Sequence, residues 1–407
     1  MAEVPDSAIG ARVRFHRERR DRTQAVLAGF VGITADYLSQ IERGVKTPTI
    51  GVLHDLAREL QVPITALLGG PGDDEDAEFV PTRGGFGPVE RALVGTWPVA
   101  RAADRVDVTA LRERVEEACR TYQSSATRFS AAALVLPDLI ADAERAVRQL
   151  GAPADAGERR EAHRARADLY FLLRSYCKRQ GRMSLSMLAA DRALHAAQEA
   201  DDPLRIAAAE WNLGHHLLAD NELDGAEAVV RQAADGLGQW RASPSVAAVY
   251  GALHLVFAAT LSRRRDARGA RRVLDGPASA VAAVSGEGNV LWTVFGPANV
   301  AVHRVSVEME AGRPNAGLEI ADHVDTAGMA SIERRMTHLL EVTRCYEQSR
   351  DDLAVLLHLQ NAERLAPEDV RGSKMARELV RTLRHRARPS YASDVADLAA
   401  RVGLLAN

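Results

Sequence analysis

Cysteine is almost missing: the 407 residues hold three, Cys119, Cys177 and Cys345, far apart and without a CxxC pair. That usage argues against a disulfide framework and a structural zinc site, and it suits a reducing compartment. Aromatic residues make up only 5%, and no segment shows the alternation of apolar and polar residues that a half-buried strand needs. No uninterrupted apolar run reads as long enough to span a bilayer, and the opening MAEVPDSAIG has neither the basic start nor the apolar core of an export signal. A cytoplasmic chain without membrane contact is expected. Net charge is low as well, at -3, so nothing draws the whole molecule to nucleic acid. Any DNA-binding surface must be local.

What is present favours helix. Alanine, leucine and arginine are plentiful, with 46% hydrophobic and 26% charged residues. A chain of 407 residues exceeds what one core usually covers, so at least two domains are expected. Residues 1–69 read as a compact helical domain. A stretch rich in glycine, proline and acid follows, GGPGDDEDAEFVPTRGGFGP, and residues 70–103 read as a linker. Residues 104–407 read as a long succession of helices. The fold class is all-α.

The most informative segment runs from Gln24 to Arg43, QAVLAGFVGITADYLSQIER. Leu27, Val31, Ile33, Leu38 and Ile41 form an apolar set for two short crossed helices. Ala28 is small where the helices pass. Gly32 sits at a turn that calls for positive φ, and Thr34 caps the helix that follows. Thr23 and Thr49 are placed to cap two more helices. Ile9, Val13 and Phe15 give the first helix an apolar side; Leu53, Leu56, Ala57 and Leu60 serve a fourth. Ile64, Leu67 and Leu68 suit a closing fifth.

The combination of TQ, LA, G, YLSQIERG, P and LARELQV resembles the phage-repressor-like, xenobiotic-response-element family of helix-turn-helix regulators, over about 60 residues. The resemblance implies a five-helix, lambda-repressor-like DNA-binding domain whose second motif helix enters the major groove. It implies base contacts for Thr34, Ala35, Asp36 and Gln40, and phosphate contacts for Gln24, Arg43 and Lys46. It also implies a structural pair between Arg17 and Glu42. Arg12, Arg14, Arg19, Arg20 and Arg22 make the first helix basic, mostly as a solvated face. Such modules read two half-sites, so a homodimer on an inverted repeat of double-stranded DNA is expected.

In the second domain, AEWNLGHHLLADNELDGAEAVVRQAA places Leu213 and Gly214 on one helix and Ala226 and Ala233 on the next, small residues where a hairpin closes. Leu217 and Val230 would fill between them. Comparable turns near Gly181, Asp266 and Gly312 give a spacing of roughly 40 residues, and the pattern resembles a degenerate tetratricopeptide array. A helix-turn-helix head on such a body resembles the peptide-responsive regulators of Gram-positive bacteria, and the arginine- and alanine-rich style resembles actinobacterial proteins. That likeness implies an effector on the inner helices, with Asn212 as a backbone clamp and Arg205, Tyr250 and His254 nearby. A peptide, a small molecule and a protein partner remain open. A DNA-tethered scaffold is the alternative to a ligand-switched regulator.

No cofactor, metal or catalytic constellation stands out. His215 and His216 are adjacent, so on a helix their rings point apart. GGFG at 84–87 lacks the strand and helix of a nucleotide fingerprint. Cys177 reads as a packed thiol, the arginines of 263–272 as a solvated hairpin turn, and Trp211, Trp292 and Phe295 as core.

Overall fold

The computed structural model describes residues 6–18, 20, 22–60, 67, 86–95, 105–150, 156–237 and 243–404. The chain divides into two compact units, Met1–Phe79 and Val80–Asn407. No strand occurs among the described residues.

The first unit holds α1 (Asp6–Glu18), α2 (Gln24–Val31), α3 (Ala35–Glu42) and α4 (Ile50–Glu59). Three of these start on a threonine whose hydroxyl accepts a backbone N–H two residues into the helix: Thr23 from Val26, Thr34 from Tyr37, and Thr49 from Val52. Each cap satisfies a donor that the first turn would leave bare. Helix α2 ends on Gly32 at φ 74°, which only glycine reaches without cost. Ile9, Val13, Leu27, Ala28, Leu38, Leu53, Leu56, Ala57 and Leu60 form one buried core, and Leu67 joins it. Val31 and Ile33 only flank this core. Phe15, expected on the apolar side, is instead 44% exposed. The expected fifth helix falls outside the described residues apart from Leu67.

The second unit begins with α5 (Phe86–Val94), inside the stretch 70–103 expected to be linker. Its Val89, Ala92 and Leu93 are buried in the main body core, so this part of the linker reading is corrected. Then come α6 (Val108–Ser124), α7 (Arg128–Gln149), α8 (Ala156–Arg179), α9 (Met183–Glu199), α10 (Pro203–Ala219), α11 (Leu223–Leu237) and α12 (Pro244–Arg263). After α13 (Ala267–Val273) a π-helical turn leads into α14 (Ser279–Ser285). The series continues with α15 (Pro297–Glu310), α16 (Pro314–Ala321), α17 (Ile332–Gln348) and α18 (Asp352–Leu365). It finishes with α19 (Pro367–Gly372), α20 (Lys374–Arg386) and α21 (Ala392–Arg401).

From α8 to α18 the helices form antiparallel hairpins stacked side by side. The tight turn inside each hairpin carries one left-handed residue: Gly181, Asn221, Arg265, Gly312 and Arg350, with φ between 60° and 71°. These turns recur roughly every 40 residues, the period of a helix-pair solenoid. Within α10 and α11 the close approach is literal. A Cβ on Gly214 would stand 2.5 Å from the Val230 side chain, and Ala226 and Ala233 are buried opposite. Proline opens α10, α12 and α15, where its missing N–H costs nothing. Helix α12 is long and apolar enough by composition to cross a bilayer, but more than half of its apolar window is buried in the body, as in a core helix.

The last helices, α17 to α21, share a separate core that includes Ile332, Met336, Leu359, Val380 and Leu398. This end of the solenoid comes back to its beginning, and α17 lies against α6. The contact is fastened by ions. Arg128, fully buried, donates Nε to Asp369 Oδ2 at 2.9 Å and Nη2 to Oδ1 at 2.5 Å. Helix α7 starts at Thr127 without a side-chain cap of its own. Glu368 supplies one from far along the chain, accepting the N–H groups of Phe129 at 2.8 Å and Ser130 at 3.2 Å.

Candidate DNA-reading face and body chamber

Helix α3 presents the face expected to read bases. Thr34, Ala35 and Asp36 are exposed at its N-terminal end, and Gln40 is half-buried one turn on. Gln40 Nε2 donates to Asp36 Oδ2 at 2.7 Å, so the two form one fixed unit rather than two independent readers. The second N–H and the carbonyl of Gln40 remain for a base edge. Arg43 is exposed with Nε bonded to the Ser39 carbonyl at 3.3 Å, and Lys46 is exposed with its ammonium 5.5 Å from the Tyr37 ring centroid.

Behind this face sits a buried clamp. Arg17 Nε donates to Glu42 Oε1 at 2.7 Å, Arg17 Nη2 to Oε2 at 2.9 Å, and Arg17 Nη1 to the Arg22 carbonyl at 2.9 Å. Gln24, expected at a phosphate, also donates to Glu42 Oε2, at 2.7 Å. One amide N–H is therefore engaged inside the protein, joining the start of α2 to the end of α3. The basic first helix is less solvated than its sequence suggests. Arg12 is buried and reaches the Leu67 carbonyl at 3.3 Å, while Arg14 pairs with Glu18. Arg22 bonds the Glu59 carbonyl at 3.2 Å, Arg20 is exposed, and Arg19 lies outside the described residues.

The body holds a half-open cavity of about 200 Å³ where α6, α8, α10 and α17 converge, flanked by the loop at 291–294. Tyr122, Arg174, Lys178, Trp211, Asn212, His215, Trp292, Glu333 and Arg334 are among its lining residues. Asn212 is the one candidate effector residue that reaches it. Its amide is engaged at both ends: Oδ1 accepts from Arg174 Nε at 2.8 Å and Nδ2 donates to the Ala208 carbonyl at 2.9 Å. Asn212 therefore supports Arg174. Arg205 lies elsewhere, held by Asp168 at 3.1 Å and Asp202 at 2.8 Å. Tyr250 and His254 pair with each other on α12, ring centroids 4.4 Å apart, and do not line the cavity.

Burial works against charge throughout this chamber. It lowers Arg174 to about 10, and with Arg174 and Arg179 beside it lowers Lys178 to about 7. Burial would raise the Glu333 carboxyl, but Arg179 and Arg128 outweigh it and hold the group well below the usual carboxylate range. Burial, with Lys178 beside it, holds His215 well below the usual imidazole range, and its ring stands edge-on to Trp211 at 4.6 Å. His216 points the other way, its Nδ1 3.3 Å from Ser186 Oγ. Trp211 is buried in the body core as expected and Trp292 packs against that core; both also line the chamber, whereas Phe295 is fully buried. In the 263–272 turn, Arg264 pairs with Glu227 at 2.6 Å and Arg271 with Glu308 at 2.7 Å. The sequence reading singled out none of Arg174, Lys178, Glu333 or Arg334. Each sits on an ordinary amphipathic helix, and only closure of the solenoid brings them together.

No curated protein matches the chain. Among solved structures, Bacillus thuringiensis PlcR in complex with the peptide PapR7 and DNA is 14% identical, with 68% of this chain and 95% of that chain covered and a TM-score of 0.30. The apo form of ComR from S. thermophilus is 19% identical, with coverage of 70% and 96% and a TM-score of 0.19. The apo form of the competence regulator ComR from Streptococcus vestibularis is 12% identical, with coverage of 98% and 99% and a TM-score of 0.17. The helix-turn-helix domain family matches residues 8–68, and with the capped α2–Gly32–α3 geometry this makes the N-terminal unit a helix-turn-helix domain.

Proposed function

We propose that the chain is a sequence-specific DNA-binding transcription regulator whose operator affinity is set by an effector in the body chamber. The observation that carries this is the outward N-terminal end of α3, with Thr34, Ala35 and the Asp36–Gln40 unit held rigid by the Arg17–Glu42–Gln24 clamp behind it. Thr34, Ala35, Asp36 and Gln40 read bases in this proposal. Arg43 and Lys46 meet phosphates, while Gln24 acts mainly through Glu42. The protein works as a homodimer on an inverted repeat, in the cytoplasm. No catalytic step is assigned to it: the three thiols are buried, and burial pushes Cys177 up to about 12 and Cys345 up to about 11, far from a reactive thiolate.

The test is selection of genomic fragments by the purified chain, followed by footprinting at several salt concentrations. Enrichment of an inverted repeat with half-sites one or two helical turns apart is the expected result. Failure to enrich any sequence, with and without candidate effectors, would sink the proposal. A second reading, a DNA-tethered scaffold, draws support from the open apolar groove between α6 and α7, where Leu134 is 69% and Val135 43% exposed. It predicts a stable protein partner in pull-downs and no ligand-dependent change in DNA affinity.

A further inference from the structure

The chamber walls carry more positive charge than they neutralise. Arg174, Lys178, Arg179 and Arg334 line it, against a single carboxylate, Glu333. That carboxylate is already committed. Its Oε1 accepts from Arg179 at 2.5 Å, and its Oε2 from Arg128 at 3.2 Å and Ser175 at 3.4 Å. Arg174 has a neutral partner in Asn212, Lys178 reaches only the His215 carbonyl at 3.4 Å, and the Arg334 side chain has no hydrogen bond or ion pair among the described residues. Three cations thus share a small cavity in which the only lining carboxylate among the described residues, Glu333, is already bonded to Arg179 and Arg128. Cations held this way are costly unless an anion joins them.

The wall beside them is strained. Leu291, Trp292 and Val294 take φ of 46°, 65° and 49°, a left-handed conformation that disfavours any residue with a Cβ and a β-branched one most. Gln123 holds the segment by donating to the Trp292 carbonyl at 3.0 Å, and Asn299 by donating to that of Val294 at 2.7 Å. Leu291, Trp292 and Val294 all line the chamber, along with Trp211. Strained backbone of this kind concentrates at ligand clamps.

We infer that the chamber is an oxyanion site: it takes a small ligand whose carboxylate or phosphate group sits among Arg174, Lys178 and Arg334, with a flat or apolar remainder against Trp211 and Trp292. This deepens the effector reading and rests on it for the consequence at DNA, though not for binding itself. Lys178 faces Cys119 and Tyr122 from α6, Arg174 and Arg179 on its own helix, His215 from α10, and Glu333 and Arg334 from α17. Since burial and the arginines lower it to about 7, an arriving anion should draw a proton onto it near neutral pH.

The experiment is calorimetric titration of the full chain with inorganic phosphate, with acetate and with neutral acetamide, in two buffers of different ionisation enthalpy. Anion binding with proton uptake is expected, weakened about tenfold or more by Arg334→Gln and by Lys178→Met, since a charge-assisted hydrogen bond is lost in each. Lys178→Met should also abolish the uptake, Arg334→Lys should retain most of the affinity, and Arg231→Gln on exposed α11 should change nothing. Melting curves verify that each variant is folded. Tighter phosphate than acetate assigns a phosphate ligand, and the reverse a carboxylate. Binding of neither anion above acetamide, or equal binding by the Arg334→Gln and Lys178→Met variants, overturns the site and leaves a neutral effector possible. Anion binding that depends on these residues without any change in DNA affinity keeps the site and overturns the effector reading.

Discussion

Each unit has a buried guanidinium clamp of its own, Arg17 in the first and Arg128 in the second, and the two differ mainly in reach. Each makes two hydrogen bonds to one carboxylate. Arg17 finds Glu42 25 residues away, and Arg128 finds Asp369 241 residues away. Arg17 keeps a 10% exposed side chain and two further acceptors, Glu18 and the Arg22 carbonyl, whereas Arg128 is fully enclosed with one further acceptor, Glu333. The near pair lies inside a motif in which spacing alone announces it. The far pair lies in no motif, because its geometry depends on every hairpin between its ends. A local clamp fixes the shape of one surface; a distant one fixes whether a surface exists at all.

The largest effect should come from the enclosed clamp. Asp369→Ala removes both bonds to that carboxylate and leaves buried Arg128 with the 3.2 Å bond to Glu333 alone, so the body should lose about 3–5 kcal/mol in denaturant unfolding. Loss of less than about 1 kcal/mol would mean that the existing Glu333 bond suffices for Arg128, and the contrast with Arg17 would disappear. Glu42→Ala should cost less, about 2–3 kcal/mol and in the first unit only, because Arg17 is near solvent and has other acceptors. An equal loss from both would erase the comparison.

On DNA, Gln40→Ala should weaken a cognate site by about 1–3 kcal/mol and random DNA hardly at all, while Arg43→Ala weakens both and reduces the salt slope by about one. Equal losses on both DNAs for Gln40→Ala would remove it from the reading set. Thr34→Ala should cost about 1 kcal/mol of first-unit stability through its lost cap, seen as a lower denaturation midpoint.

Acid separates the two units further. The Glu333 carboxyl is held well below its ordinary 4.5, so its contribution is fully present above that pH and drains away as pH falls toward the folded value. Body unfolding followed by circular dichroism should therefore steepen below about pH 4.5, and Glu333→Gln should flatten that limb. An unchanged acid limb in the variant would assign the sensitivity to other carboxylates.

What the sequence made readable follows the same division. Thr23, Gly32, Thr34 and Thr49 act within a few residues of themselves, so cap and turn chemistry located them directly. Gly214, Ala226 and Val230 belong to one hairpin and were readable for the same reason. The helix Phe86–Val94 was hidden by Gly84, Gly85, Gly87 and Pro88, although Val89, Ala92 and Leu93 keep helical spacing. Asn212 was found because it sits on the best-formed repeat. Arg205, on the same helix, was lost to Asp168 and Asp202, neighbours that only packing reveals. The chamber cations come from helices separated by more than 150 residues, as the Arg179–Glu333 bond shows at 154. No local pattern carries that information.

A row of helix pairs ordinarily behaves like a zipper, each unit melting against its neighbour alone. Here the contact of α17 with α6 and the hold of Glu368 and Asp369 on the start of α7 turn the row into a hoop. The pairs within the hoop have no free end from which to fray. Helix α7 waits for a cap some 240 residues downstream, so the early pairs can stack soon while the ring snaps shut late, after the long loop-closure entropy has been met. Refolding of the body should then end in one slow step that every probe around the circumference reports together.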